Sequence, residues 1–130
     1  MAGTIAQIRS ALKTSLASFT DANRYDFEPK SGQSLRVVVS WPDSWDPHAD
    51  LSGGRDIVVP VRFEVPWNDD ESSDDKLMAY MNAAVAALEA TVLTGVADSV
   101  RCLPFTDIGA RRLPDETAVM QFVVPVEVYA

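Results

Sequence analysis

The sequence predicts an α/β protein of the α+β kind: one mostly antiparallel sheet of about four strands with two helices packed on one face, in the order α-β-β-α-β-β. Three observations lead there. Two apolar sets repeat at every second residue, Ile57, Val59, Val61, Phe63, Val65 and Met120, Phe122, Val124, Val126, Val128, which is the period of a half-buried strand. Two others repeat at every third or fourth residue, Ile5, Ile8, Leu12, Leu16, Phe19 and Leu77, Tyr80, Met81, Ala84, Leu88, the period of an amphipathic helix. The 130 residues are 47% apolar and 23% charged, enough to bury one core, so residues 1–130 are expected to form a single domain.

Thr4 is placed to cap the first helix, and polar Thr20, Asp21, Asn23 and Arg24 end it. Tyr25 to Gln33 holds Pro29 and Gly32 and is expected to be a connection. Leu35, Val37, Val39 and Trp41 then alternate with Arg36, Val38 and Ser40 as a strand that stops at Pro42, with Trp41 closing the core. Pro42 to Gly54 carries two prolines, two glycines and three aspartates, a composition that favours a mobile surface loop. The strand from Arg55 to Pro66 contains Pro60, which cannot donate to a ladder and is expected at an edge or bulge.

Ser72 or Ser73 is placed to cap the second helix, with Asp74 and Asp75 favoured in its first turn by the helix dipole. Its apolar stripe extends toward Val92, and Gly95 ends it. A third strand is expected from Val96 to Phe105, with Val96, Val100 and Cys102 facing one way. Thr106 to Asp115, with Gly109 and Pro114, reads as an extended hairpin connection, and the last strand as Glu116 to Ala130.

A net charge of −8 opposes binding to a nucleic-acid backbone, where affinity comes from lysines and arginines displacing counterions. An acidic surface suits a conduit for DNA better than a reader. No apolar run reaches the roughly 18–20 residues of a membrane span, and Met1 to Ser10 lacks the apolar core of a signal peptide. Cytosolic synthesis is therefore expected, and the single cysteine, Cys102, allows no internal disulfide.

The candidates for chemistry are weak. Asp46, His48 and Asp50 have the residue types of a metal site but lie on a Gly- and Pro-rich loop that gives them no fixed geometry. The run Asp69, Asp70, Glu71, Asp74, Asp75 lacks the glycine and terminal glutamate of an EF-hand. Cys102 has no second histidine to activate it and reads as a small buried hydrophobe. The chain holds no phosphate-binding glycine loop and no convincing Ser-His-Asp set. No catalytic, cofactor-binding or metal-ligating residue is assigned, and no cofactor. The candidates are instead contact residues: Trp45 and Trp67, read equally as interface anchors or ordinary surface aromatics, Asp69 and Asp70 in the acidic turn, Arg111 and Arg112 as partners for a neighbour's carboxylates, and Tyr129 at the end of the last strand.

Across nearly its whole length the chain resembles the tail terminator proteins of long-tailed bacteriophages, especially those infecting actinobacteria. The resemblance lies in the helix with Ile5, Ile8, Arg9 and Leu12, and in Trp41-Pro42-Asp43-Ser44. It continues through Val61-Arg62-Phe63-Glu64-Val65, then Asp74 with Lys76, Leu77 and Tyr80, to the terminal Val126-Glu127-Val128-Tyr129-Ala130. It implies a virion structural protein without catalytic residues: a homo-oligomeric ring of six subunits at the head-proximal end of the tail, assembled in the host cytoplasm. Such a ring caps the tail tube protein, stops its polymerisation, joins the head connector and lets DNA pass through its lumen without specific binding. The alternatives carried from the sequence are a head-to-tail connector or stopper protein, a cellular small-molecule or peptide-binding module using a pocket between helices and sheet, and an enzyme using His48.

Overall fold

The computed structural model describes residues 5–27, 29, 35–42, 44–45, 56–67, 71–89, 99–112 and 118–129, with the side chains of 44, 45, 56, 71 and 72 excepted. Helices α1 (Ile5–Ser15) and α2 (Glu71–Glu89) accompany a single sheet of seven strands: β1 (Asn23–Tyr25), β2 (Arg36–Val39), β3 (Ser44–Trp45), β4 (Asp56–Pro66), β5 (Ser99–Cys102), β6 (Thr106–Arg112) and β7 (Ala118–Tyr129).

The spine of the sheet is the antiparallel pair β4–β7, in register from Asp56 opposite Tyr129 to Pro66 opposite Val119. Opposed residues share a face, so the odd-numbered apolar residues of β4 meet the even-numbered ones of β7. Both sets join one core with Val37 and Val39 of β2, Ile8 and Leu12 of α1, and Leu77, Tyr80, Ala84 and Leu88 of α2. Phe63 stacks on Phe122 with ring centroids 4.6 Å apart, while Phe19 meets Phe63 edge-on at 5.3 Å and Tyr80 at 5.1 Å. This cluster ties both helical segments to the centre of the spine. Leu16 and Phe19 lie beyond the last residue of α1 yet are buried, carried inward by turns closed by Leu16 N donating to Lys13 O and Phe19 N to Leu16 O.

Two prolines decide how the flanking strands are divided. Pro60 stands opposite Pro125. Their carbonyls point outward, Pro60 O accepting from Ser40 N at 3.0 Å and Pro125 O from Leu103 N at 2.8 Å. In a pair of this kind the nitrogens point outward too, so the missing N–H groups face the flanks and not each other. Both flanks are broken at that row. β3 pairs with Ile57 and Val58, β2 with Val61 to Glu64, β5 with Val126 to Tyr129, and β6 with Ala118 to Val123. Pro60 is therefore in a central strand, contrary to the edge or bulge expected, and is tolerated because the neighbour on its outward side is split.

The expected sheet of about four mostly antiparallel strands is corrected: among the described residues there are seven, and the sheet is mixed because β1 runs parallel to β2. β1 arises in a polar stretch after α1, where its backbone, starting with Asn23 N donating to Leu35 O at 2.9 Å, does the pairing. β3 is only two residues inside the expected loop. β6 occupies the expected hairpin connection, and its side chains are exposed or half-exposed throughout, so no apolar alternation marks it.

Three local expectations also change. Trp41 does not close the core; it is 67% exposed. Its ring instead lies 4.9 Å from the guanidinium of buried Arg9, which donates through Nε and a terminal nitrogen to Val39 O at 3.2 and 2.8 Å and so pins α1 to the end of β2. Helix α2 begins at Glu71, so Ser72 and Ser73 lie inside its first turn and do not cap it. Buried Ser73 donates its hydroxyl to Pro66 O at 2.8 Å, fastening that turn to the end of β4. The expectations for Thr4, Val92, Gly95, Val96 and all of Pro42 to Gly54 except Pro42, Ser44 and Trp45 fall outside the described residues. Among the described residues no helix is long and apolar enough to cross a membrane.

Candidate functional site

The face of β4 and β7 turned away from the core cluster carries a group of charged and amide side chains. Arg36 on β2 stands opposite Glu64 on β4, and Arg62 lies two residues before Glu64 on the same face. Arg36 Nε donates to Glu64 Oε1 at 3.0 Å and Arg62 Nε to Glu64 Oε2 at 3.1 Å. Glu64 is wholly buried, and Arg36 nearly so. A carboxylate removed from water is costly unless paired and hydrogen-bonded, and here each oxygen has its own guanidinium. The trio carries one surplus positive charge.

Across the spine, Glu64 faces Gln121 of β7, which is also buried. Gln121 Oε1 accepts from a terminal nitrogen of Arg111 at 3.2 Å, and Gln121 Nε2 donates to the carbonyl of Asp107 at 3.2 Å. That carbonyl is brought within reach by a bulge in β6, where the register slips between Thr106 opposite Val123 and Gly109 opposite Gln121. Asp107 has φ 51° and Gly109 φ 133°, the second a conformation that side chains rarely adopt.

The outcome is a cleft of about 420 Å³. The spine supplies Pro60, Val123 and Pro125 as its apolar part, while Arg62 and Arg111 stand with Ser40, Thr106 and Asp107 around it. Both arginines are held by a second group, Arg62 by Glu64 and Arg111 by Gln121. The cleft lies on the opposite side of the sheet from the helices, whereas the sequence placed a candidate pocket between helices and sheet. Its chemistry is suited to holding a negatively charged group beside an apolar one.

A second polar cluster joins α2 to the end of the α1 segment. Lys76 pairs with Asp21, and the Tyr80 hydroxyl donates to Asp21 Oδ1 at 2.8 Å. The hydrogen bonds from Lys76 and then from Tyr80 hold the Asp21 carboxyl below its ordinary value, while burial, aided by the Asp21 carboxylate, pushes the Tyr80 phenol above its own. Cys102 is half-buried, and burial followed by the nearby Glu89 carboxylate pushes its thiol up to about 11. Glu89 also accepts from the Cys102 backbone N–H at 2.9 Å, closing the end of α2 onto β5. Among the described residues no group of three or more His, Cys, Asp or Glu could hold a metal ion. The triplet Asp46, His48, Asp50 lies outside them.

The contact candidates separate to the two ends of the spine. Trp67, 44% exposed, donates its backbone N–H to Ala118 O at 3.3 Å, and Ala118 pairs with Arg112 while Val119 pairs with Arg111. These three therefore share one end. Tyr129, half-buried, stands between Asp56 and Ser99 at the other end, and Trp45 on β3 is opposite Ile57 one row in. Asp69 and Asp70 fall outside the described residues. The sequence reading missed Arg36, Arg62, Glu64, Asp107 and Gln121. Their signal is charged or amide side chains at the polar positions of apolar strands, which looks the same whether that face is bare or covered.

A scan against models of known protein families finds no match to this chain. No curated protein matches it either.

Proposed function

We propose that the chain is a virion structural protein, a tail terminator that assembles as a closed ring, caps the tail tube at its head-proximal end and offers a joining surface to the head connector. The observation that carries this reading is the separation of Trp67, Arg111 and Arg112 from Tyr129 and Trp45 to opposite ends of an unbroken two-stranded spine. Val119 and Tyr129 are ten steps of extended chain apart, a span of about 34 Å. A rigid rod with contact groups at both ends suits a protein that bridges two different assemblies.

The residues of the resemblance support the same reading as a scaffold. Arg9 pins α1 to β2, Phe63 centres the aromatic cluster, and Lys76 and Tyr80 both converge on Asp21. The chain's acidity is compatible with DNA sliding through a lumen. The purified protein is expected to sediment as a ring-sized oligomer and to show rings in negative-stain micrographs, and to copurify with tails, not with unfilled heads. Copurification with heads alone would favour a connector or stopper, and a strict monomer that never caps tubes would refute both.

One observation favours a second reading, the cleft beside Arg62 and Arg111, which has the make-up of a binding site for an acidic peptide or small molecule. Thermal stabilisation by a small acidic ligand, without assembly, would support that reading.

A further inference from the structure

We infer that the hollow between the end of α1 and the start of β1 binds a small phosphomonoester, gripped between Lys13 and Arg24. It is separate from the cleft beside Arg111, and it does not depend on ring assembly. The hollow measures about 500 Å³, the size of a small-molecule site. Lys13 and Arg24 both line it, and among the described residues no carboxylate does, in a chain whose net charge is −8. Both cations have donors to spare. Among the described residues the Lys13 side chain makes no ion pair or hydrogen bond. The Arg24 side chain makes one hydrogen bond, from a terminal nitrogen to Leu16 O at 3.4 Å, which leaves most of the guanidinium's N–H groups for an incoming acceptor.

The last turn of a helix ordinarily disfavours an anion, because its carbonyls are left without donors. Here each has one: Leu12 O accepts from Ser15 Oγ at 2.6 Å, Lys13 O from Leu16 N at 3.1 Å, Thr14 O from Ala17 N at 3.2 Å, and Leu16 O from Phe19 N at 3.0 Å as well as from Arg24. That offsets the repulsion. Two cations with no anion beside them call for a dianion. A phosphomonoester carries about −1.5 to −2 at neutral pH, whereas each phosphodiester of a nucleic acid carries a single charge. A guanidinium fork and a mobile ammonium also suit several oxygens of one tetrahedral group. The rest of the lining describes the body of the ligand. Ala17 and Ala22 are small and leave room, while Ser10 and Thr14 bring exposed hydroxyls and Asn23 an exposed amide. Among the described residues no aromatic ring lines the hollow to stack a base, so the body it fits is polyhydroxylated, as in a sugar phosphate.

The test is titration of the full chain with ribose 5-phosphate at fixed ionic strength, followed by calorimetry and by the shift in melting temperature. Ribose 5-phosphate should bind and stabilise, and ribose should do neither. Lys13→Gln and Arg24→Gln should each weaken binding at least about tenfold, the usual worth of a charge-assisted hydrogen bond. Circular dichroism of Lys13→Gln should match wild type, because that side chain holds nothing in place. Arg24→Lys, which keeps the charge, should bind more tightly than Arg24→Gln. Wild-type affinity should be about tenfold lower at pH 5 than at pH 7.5, because the phosphate loses its second charge near pH 6 while both cations keep theirs. No stabilisation at about 10 mM ligand would overturn the inference, as would binding that Lys13→Gln leaves unchanged. Duplex DNA that binds and is lost with Lys13→Gln, while ribose 5-phosphate does not bind, would assign the hollow to a phosphodiester backbone and also overturn it.

Discussion

Glu64 is the side chain whose replacement the fold should resist most. It is wholly buried, and each of its oxygens is held by a different guanidinium, Arg36 at 3.0 Å and Arg62 at 3.1 Å. Glu64→Gln keeps the shape, removes the charge and puts an amide N–H₂ where one guanidinium donated. Two arginines, one of them 5% exposed, then lose the carboxylate they share. Removing one partner of a buried ion pair costs about 3–5 kcal/mol. For a domain of 130 residues, a loss of that size lowers the melting temperature by about 10–18 °C. The companion variant, Arg36→Met, Glu64→Leu and Arg62→Met together, removes all three charges of the trio at once, so it should be clearly less damaging than Glu64→Gln alone. Urea unfolding followed by circular dichroism measures both. A loss below about 1 kcal/mol for Glu64→Gln, or a triple variant as damaged as the single one, would refute the argument that these charges are interdependent.

Three further outcomes are expected. Asp21 has its folded-state value lowered by Lys76 and Tyr80, so its contribution is present above the unfolded value near 3.8 and is lost as the pH falls through the folded one; Asp21→Asn should lower stability at neutral pH and flatten the stability profile below about pH 4 in acid titrations. Cys102, pushed from 9.0 up to about 11, should label with a thiol reagent at pH 8 about 100-fold more slowly than the same thiol in the unfolded chain, by stopped-time mass spectrometry. Gly109→Ala meets open space but a φ of 133°, so it should destabilise by about 1–3 kcal/mol in thermal melts through backbone strain alone.

The elements written in apolar periodicity were legible. The alternation in Ile57 to Val65 and in Met120 to Val128 marked the spine and the face it buries, and the spacing of Ile8, Leu12, Leu77, Tyr80, Ala84 and Leu88 marked both helices. What escaped was structure held by backbone pairing. β1 and β6 bury almost nothing of their own and β3 is only two residues long, so none of the three carries a period, and a strand such as Thr106 to Arg112 is specified by the exposed edge of β7 beside it. Pro60 misled for a related reason: a proline in a central strand reads as impossible until the opposing Pro125 and the split flanks are seen. At the site, Arg111 was legible as a surface cation. Glu64 and Gln121 were not, because nothing in an alternating polar position reports that its face is covered.

The most direct test of the account is electron microscopy of tails assembled with and without this protein. Tails made with it should end at one set length under a ring-shaped cap. Those made without it should be polydisperse, with overlong tubes lacking caps, whereas tails of unchanged length would contradict the proposed role.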